Sequence, residues 1–260
     1  MTIQFHKYQG AGNDFVVLDN RDGTYNDLTT AQVHFLCDRH FGVGADGLMS
    51  LNLHEEADFE MKYYNADGKE GSMCGNGGRC IVAFAARLGI ITDRARFMAV
   101  DGMHEALLRP DGWVELKMKD VTHIERGYDF AILDTGSPHY VKYVERLEEQ
   151  NVVEKGKAVR YNERFSAEGI NVNFVEYGAE ALHIRTYERG VEDETWACGT
   201  GVTAAAIVVA GNQHQAYRIP VKARGGNLEV RYLKKDDQHY EDIWLCGPAS
   251  FVYTGAIDIQ

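Results

Sequence analysis

Two of the five cysteines stand in the same short glycine-rich context, and in that context a thiol can do chemistry. Cys74 begins the stretch Cys-Gly-Asn-Gly, and Cys198 begins Cys-Gly-Thr-Gly. Each stretch follows a polar loop and precedes small and apolar residues of helical length, so each cysteine is expected where a loop turns into a helix. The backbone N–H groups and the helix dipole at that position favour a thiolate over a thiol. Each cysteine is therefore a candidate base or nucleophile.

The glycines beside these cysteines leave room for a ligand. A carboxylate can approach the N–H groups of a glycine-rich helix start closely, as small anions do at other helix N-termini. One such start alone indicates a cysteine nucleophile, an anion site or an ordinary cap. Two related helix starts that contact one bound molecule are suited to inversion of a carbon centre. In such a reaction the cysteine of one start removes a proton from one face of the carbon, and the cysteine of the other start protonates the opposite face.

The other three cysteines are expected to be core thiols. Cys37 lies in a predicted helix, Cys80 in an apolar helix and Cys246 in an apolar strand. No third or fourth ligand is spaced to form a metal site with Cys74 and Cys80, so we predict no metal centre.

The chain repeats itself around the two cysteines. Cys74 and Cys198 are 124 positions apart, and the same offset separates Gly12 from Gly136 before two apolar stretches. We interpret these repeats as two homologous, pseudo-symmetric halves, 1–125 and 126–260. Each half is predicted to be an α+β unit, a mostly antiparallel sheet around one central helix, with the active site in the cleft between the halves. Strands are predicted at 15–18, 58–64, 114–118, 140–144, 182–187 and 228–232, and helices at about 29–40, 80–88 and 202–210.

Composition excludes several classes of function. The 27 basic and 39 acidic side chains give a net charge of −12, which argues against nucleic acid as the main partner. The longest nearly apolar stretches are too short to span a bilayer, and the first residues do not resemble a secretory signal. The sequence therefore predicts a cytoplasmic protein with no membrane partner.

Six motifs together resemble those of the diaminopimelate epimerase family, and the resemblance runs across nearly the whole chain. They lie at 10–15 (Gly-Ala-Gly-Asn-Asp-Phe), 42–46 (Gly-Val-Gly-Ala-Asp), 64–68 (Tyr-Asn-Ala-Asp-Gly), 74–79 (Cys-Gly-Asn-Gly-Gly-Arg), 187–190 (Tyr-Glu-Arg-Gly) and 197–201 (Ala-Cys-Gly-Thr-Gly). The resemblance implies a homodimer that interconverts LL- and meso-2,6-diaminopimelate in lysine biosynthesis, without pyridoxal phosphate or any other cofactor.

The resemblance also implies roles for individual residues. Cys74 and Cys198 fall on the two catalytic thiols, and His139 and Glu188 on residues that assist them. The positions that fall on substrate contacts are Asn13, Asn65, Gly75, Asn76, Asn171, Glu188, Arg189, Gly199 and Thr200. Taken from the residues alone, the three asparagines at 13, 65 and 171 are as well suited to turns, and His139 is suited either to proton transfer or to filling a polar notch.

The sequence departs from the family pattern at a few positions. Members often carry Gln where Gly47 stands and Asn at Ser137, and Trp196 occupies a position that is commonly polar. Two other functions therefore stay open: a different cofactor-independent amino-acid racemase of the same superfamily, and a non-catalytic amino-acid binding protein. Arg189 and the asparagines favour diaminopimelate, because its two amino-carboxylate ends need a second charged subsite.

Overall fold

A tight hairpin opens the fold. The computed structural model describes residues 1–71 and 73–259, so Gln260, the end of the predicted second half, lies outside the described residues. Strand β1 (Thr2–Gly10) turns into β2 (Asn13–Asp19) through Ala11 and Gly12, whose φ angles of 53° and 83° both lie in the left-handed region. A two-residue turn of this kind matches the twist of the strands it joins. It places Asn13 at the first position of β2, opposite Gly10.

The next elements are two helices and five strands. They are α1 (Thr30–Cys37), β3 (Gly47–Asn52), β4 (Phe59–Asn65), α2 (Gly75–Arg87), β5 (Arg94–Ala99), β6 (Gly102–Leu108) and β7 (Trp113–Lys117). Thr29 caps α1 through a reciprocal capping box with Gln32. Helix α1 ends before the predicted boundary at about residue 40, because Asp38 is already extended.

Helix α2 forms the centre of the first unit. It packs against β1, β2, β3 and β6, and its residues from Gly75 to Val82 are all buried. A Cβ added at Gly77 would lie 3.1 Å from the sulfur of Met49, and one at Gly78 would lie 3.0 Å from Leu116. Since so close an approach excludes larger side chains, the glycines let the first turn of α2 lie directly on the sheet.

The second unit contains two helices and nine strands. They are β8 (Ile124–Arg126), β9 (Phe130–Asp134), β10 (Pro138–Tyr143), α3 (Val152–Arg160), β11 (Asn171–Tyr177), β12 (Leu182–Glu188), β13 (Asp193–Thr195), α4 (Gly199–Val208), β14 (Ala216–Ala223), β15 (Gly226–Lys234) and β16 (Tyr240–Pro248). A single-turn 3-10 helix, Leu147–Glu149, precedes α3. The central helix α4 is apolar on every side and packs against six strands, β9, β10, β11, β12, β14 and β15.

The two units share one order of strand pairing. In the first unit β1 to β4 pair in sequence, antiparallel, parallel and antiparallel, and β4, β5, β6 and β7 continue as parallel, antiparallel and antiparallel pairs. In the second unit β9, β10, β11, β12, β14, β15 and β16 repeat this series. The fold is therefore the predicted duplicated α+β architecture with mostly antiparallel pairs.

The last strand departs from the sequential division into halves. Strand β17 (Ser250–Asp258) pairs antiparallel with β1, so the first compact unit comprises Met1–Leu116 together with the segment that begins at Pro248. The second unit is Lys117–Gly247. In the second unit, β8 pairs antiparallel with β9 in the corresponding place. The two compact units therefore differ from the predicted halves 1–125 and 126–260, because the pairing of β17 with β1 joins the segment from Pro248 onward to the first unit.

Helix α3 was not predicted, because only Val152 and Gly156 in it are buried and its remaining residues carry little apolar periodicity. None of the helices within residues 1–71 and 73–259 has both the length and the apolar character needed to cross a bilayer.

Candidate active site

Cys74 is the N-cap residue of α2. Its backbone is extended, with φ −107° and ψ 147°, and its sulfur accepts a hydrogen bond from the N–H of Gly77 at 3.2 Å. The thiol is half-buried, and its sulfur lies 4.0 Å from Oδ1 of Asn13. A backbone donor directed at the sulfur stabilises negative charge there, so the helix start favours the thiolate that the sequence predicted.

A line of hydrogen bonds orients the two amides beside Cys74. Arg79, which is fully buried, donates to Oδ1 of Asn76 at 2.9 Å, and Nδ2 of Asn76 donates to Oδ1 of Asn13 at 3.3 Å. Nδ2 of Asn13 then donates to the Asp46 carboxylate at 2.5 Å. A guanidinium can only donate and a carboxylate can only accept, so the two ends of this line determine which way both amides face. Asn13 therefore presents its oxygen toward Cys74.

Charged neighbours hold the acidic end of this line in place. Arg39 donates to Asp46 at 2.8 Å and to Asp14 at 2.7 Å, and Lys7 pairs with Asp14 at 2.6 Å. Burial alone would raise the pKa of Asp14, but the hydrogen bonds from Arg39 and Lys7 outweigh burial and lower that pKa. Asp46 and Arg79 are not among the predicted site residues, although both lie within the motifs shared with the family.

Asn65 ends β4 and closes a turn. Its carbonyl accepts from the N–H of Gly68 at 2.9 Å, and its N–H donates to the carbonyl of Lys69 at 2.9 Å. Its side chain is exposed and lies close to Gly71, where an added Cβ would be 2.7 Å from Nδ2. The turn therefore accounts for the hydrogen bonds of the Asn65 backbone. The exposed side-chain amide is accessible to a ligand.

Cys198 is the N-cap residue of α4, in the position that corresponds to Cys74. Its backbone is also extended, with φ −105° and ψ 110°, and its sulfur lies 3.5 Å from the hydroxyl of Thr200. The hydroxyl of Thr135, in the turn between β9 and β10, donates to the carbonyl of Thr200 at 2.8 Å. This bond ties the start of α4 to the sheet. Gly199 and Thr200 form the first turn of α4, as Gly75 and Asn76 do in α2.

A second polar cluster in this unit is built around Ser137. Its hydroxyl oxygen accepts from Nδ2 of Asn171 at 2.9 Å and from the guanidinium of Arg189 at 3.3 Å. Asn171 also donates to the carbonyl of Pro138 at 3.2 Å and accepts from the N–H of Arg189 at 2.9 Å. Both amide hydrogens of Asn171 are thus engaged within the protein, so this buried residue holds Ser137 and Arg189 in place.

The two predicted assisting residues have different surroundings. Glu188 ends β12, and its carboxylate accepts from the hydroxyl of Thr195 at 2.8 Å. His139 is fully buried in β10, and its Nδ1 accepts from Nδ2 of Asn173 at 3.1 Å. Burial, with a smaller effect from the charge of Arg189, lowers the pKa of His139 to about 3. His139 is therefore uncharged near neutral pH.

The three remaining thiols lie in apolar surroundings. Cys37 ends α1, Cys80 lies within α2 and Cys246 lies in β16, and all three are buried. Burial raises the pKa of Cys37 and of Cys80 to about 12. Across residues 1–71 and 73–259, no three His, Cys, Asp or Glu side chains group together in a way that would hold a metal ion.

Comparison with known proteins places the chain in a family. The family model described as "Diaminopimelate epimerase" matches residues 5–124 and 131–252. The curated diaminopimelate epimerase of Flavobacterium psychrophilum is 43% identical over 257 residues, 98% of this chain and 100% of that protein. The corresponding protein of Chlorobaculum tepidum is 44% identical over 96% of this chain and 99% of its own length. This chain belongs to the diaminopimelate epimerase family. It is thus an isomerase of the epimerase type.

Solved structures with low sequence identity share the duplicated fold. A phenazine biosynthesis protein of the PhzF family from Bacillus anthracis superposes with a TM-score of 0.75 at 14% identity, over 100% of both chains. A hydroxyproline epimerase from Agrobacterium vitis gives a TM-score of 0.68 at 14% identity, over 98% of this chain and 92% of that one. At these identities the likeness concerns the fold alone.

Three places where the sequence departs from the diaminopimelate epimerase pattern have defined surroundings in the structure. At Gly47, an added Cβ would lie 2.6 Å from the ring of Tyr63, so that ring occupies the space of a longer side chain. The segment between Arg189 and Cys198 folds back as β13 against β12. Trp196 is 56% exposed and lies beneath the guanidinium of Arg224, 4.9 Å from the ring centroid.

Proposed function

We propose that this member of the family interconverts LL- and meso-2,6-diaminopimelate by two-base proton transfer, with Cys74 and Cys198 as the two bases. One cysteine, as a thiolate, takes the α-proton from one face of the substrate carbon. The other, as a thiol, gives its proton to the opposite face. The first sulfur ends protonated and the second ends as a thiolate, so the enzyme is left ready for the reverse direction. No redox partner takes part.

One observation carries this proposal. Each repeat presents a cysteine as the extended N-cap residue of its central helix, followed by a glycine in the first turn. Proton abstraction next to a carboxylate needs a base and also donors for the charge that develops on the carboxylate oxygens. A helix start supplies both, because the N–H groups that follow the cap have no partner within the helix. The N–H groups at Gly75, Asn76, Gly199 and Thr200 are the proposed donors.

The polar cluster in the second unit supports recognition of the distal end of the substrate. Ser137 accepts two hydrogen bonds, so its own O–H is directed to a further acceptor. Arg189 adds a positive charge beside it, and Asn171 fixes the geometry of both. A carboxylate is the group that such donors bind best. We propose that Asn13, Asn65 and Glu188 complete the recognition of the amino and carboxylate groups.

A different cofactor-independent racemase is the second candidate function. A hydroxyproline epimerase shares the fold, and paired cysteines would serve a one-ended amino acid equally well. The polar cluster of Ser137, Asn171 and Arg189 favours diaminopimelate, because that substrate has a second charged end. A binding protein without activity would have no use for a thiol at both helix starts.

Hydrogen exchange in deuterated water tests these functions. Purified protein is incubated with LL-diaminopimelate in deuterated water, and NMR follows the α-protons of both isomers. We expect deuterium at the α-carbon and equilibration of the LL and meso forms. Exchange with proline or with a one-ended amino acid, but not with diaminopimelate, would establish the second candidate. Absence of exchange with every amino acid would contradict both.

We also propose a cytoplasmic homodimer that needs no cofactor. Strand β17 exposes the apolar side chains of Val252 (51% exposed) and Tyr253 (43% exposed), and exposed apolar side chains are suitable contacts for a second copy. Light scattering during gel filtration should give twice the mass of 29.2 kDa. A monomeric mass at micromolar concentration would contradict the dimer.

A further inference from the structure

Three polar side chains on neighbouring strands lie beneath the start of α4. They are His139 on β10, Asn173 on β11 and Thr186 on β12, and all three are buried. The hydroxyl of Thr186 donates to Oδ1 of Asn173 at 3.0 Å. A Cβ added at Gly201, in the first turn of α4, would overlap with that same Oδ1 atom. The three residues, called the polar triad below, are therefore in contact with the helix that Cys198 begins through Asn173.

The hydrogen bonds of the triad determine where His139 carries its proton. Nδ2 of Asn173 donates to the backbone carbonyl of Tyr140 at 3.1 Å and to Nδ1 of His139 at 3.1 Å. A carbonyl oxygen accepts only, so it requires the NH2 side of the Asn173 amide to face this way. The second amide hydrogen then meets Nδ1, which has to be unprotonated. The single ring proton of His139 therefore lies on Nε2.

The Nε2–H group of His139 is buried and lacks a hydrogen-bond partner among residues 1–71 and 73–259. Burying such a donor is unfavourable, and the fold does not require it. At the corresponding place in the first unit, 124 positions earlier, the residue is Phe15. The position that corresponds to Asn173 is Met49, and Tyr63 pairs with Met49 as Thr186 pairs with Asn173. The polar triad is thus confined to the second unit.

We propose that Asn173 is a positioning residue which, held by Thr186, fixes the Nε2–H tautomer of His139, so that this ring acts in the reaction only as a hydrogen-bond donor. An N–H donor stabilises the negative charge that develops during proton transfer without giving up its proton. The lowered pKa of His139 agrees, since an imidazolium would direct a second N–H at the Asn173 amide. Arg189 is the charged group that acts on the ring, and it also disfavours the imidazolium. The catalytic part of this inference rests on the proposed function, whereas the tautomer does not.

NMR of ring nitrogens labelled with ¹⁵N tests the tautomer directly. The signals of His139 are assigned by their loss in His139→Gln. We expect the Nε2–H pattern in the parent protein, unchanged from about pH 6 to pH 8, where an ordinary histidine titrates. A parent spectrum with the proton on Nδ1, or a titration near the ordinary value of about 6.5, would overturn the proposal.

Four variants then separate a positioning role from an effect on stability alone. Asn173→Asp directs an acceptor at Nδ1 and should move the ring proton to that nitrogen. Asn173→Met, which copies Met49 of the first unit, removes the donor with a side chain that this fold accommodates, and should give a mixture of tautomers. Thr186→Val should loosen the tautomer preference, and Thr186→Ser should restore it. Asn227→Asp, on an exposed hairpin of the same unit, is the control for added charge.

Kinetics complete the test. Asn173→Asp and Asn173→Met should lower kcat roughly 10- to 100-fold in both directions while KM changes less than about twofold. Asn173→Met with the parent's tautomer and kcat would overturn the proposal. If the parent did not interconvert diaminopimelate, the proposed function would fail, whereas the ring spectra of parent and variants would still decide the tautomer.

Discussion

Single residues at the candidate site act through the orientation they impose on their neighbours. Asp46 and Arg79 touch no reacting group in the proposed mechanism, yet they determine which way the Asn13 and Asn76 amides face. An amide can present either a donor or an acceptor, so a residue that decides between the two changes what the substrate meets.

Replacing Asp46 tests this orientation. In Asp46→Asn the acceptor-only end of the line is lost, and Asn13 is able to turn its oxygen away from Cys74. Loss of a hydrogen bond to a charged group costs about 1.5–3 kcal/mol, so kcat/KM for diaminopimelate should fall roughly 10- to 100-fold. Steady-state kinetics in both directions measure this. Asp22→Asn, an equal change on an exposed turn of the same unit, should leave kcat/KM unchanged, and equal losses in the two variants would contradict the orientation role.

His139 should make folding stability depend on pH. Because its pKa in the folded protein is about 3, the unfolded chain takes up the proton first as the pH falls through about 6.5. The contribution of the neutral His139 ring to the free energy of unfolding is therefore fully present above pH 6.5. It is lost progressively as the pH falls toward 3. Between pH 8 and pH 5 this group should reduce the free energy of unfolding by about 2 kcal/mol. Urea unfolding of the parent and of His139→Phe, which copies Phe15, should differ in pH dependence by that amount. Identical pH dependence would show that the ring binds its proton as readily in the folded as in the unfolded state.

At the scale of elements, the helix starts were the most predictable feature. Glycine beside cysteine, before small and apolar residues, predicted the starts of α2 and α4, and both cysteines are N-cap residues. The alternating strands were also predictable, since burial on one face imposes a period of two. Helix α3 was not, because its few apolar residues gave no helical period. The line from Arg79 to Asp46 joins α2, β2 and the loop before β3, and no local pattern indicates such a connection.

The two helix starts should act as one catalytic unit. Cys74→Ala or Cys198→Ala alone should lower epimerisation by about 10³-fold or more, and the double variant should lose little more than either single one. In deuterated water the remaining thiolate should still exchange the α-proton on its own face, from opposite isomers in the two single variants. Cys37→Ala removes a thiol whose pKa is about 12 and should keep the parent's rate if it folds. Near-parental epimerisation by Cys198→Ala would refute the two-thiol mechanism.

At the scale of the whole molecule, the duplicated architecture gives two related units with different interiors. The same strand positions carry Phe15 and Met49 in one unit and His139 and Asn173 in the other. Duplication therefore preserved the backbone and the paired cysteines while the chemistry beneath the helices became asymmetric. Sequence repeats revealed the backbone symmetry, but the polar contacts of the second unit depend on register between distant strands.

The whole protein should work without a metal or an organic cofactor. The proposed mechanism assigns both proton transfers to thiols and assigns no lysine to a Schiff base. Exhaustive dialysis against chelator in the presence of a reductant, followed by removal of the chelator, should leave kcat unchanged. Addition of pyridoxal phosphate should not increase it. Activity that returned only with pyridoxal phosphate or with a divalent cation would refute this part of the proposal.

Strand β17 has a consequence for synthesis on the ribosome. It pairs with β1 at eight positions, although the two strands lie at opposite ends of the chain. The second unit is contiguous from Lys117 to Gly247, so all its strands have been translated before β17 is made. The first unit, although most of it is translated earlier, keeps the edge of β1 open until β17 has left the exit tunnel. An open strand edge readily pairs with other chains, so the nascent protein is exposed to aggregation until β17 has paired with β1.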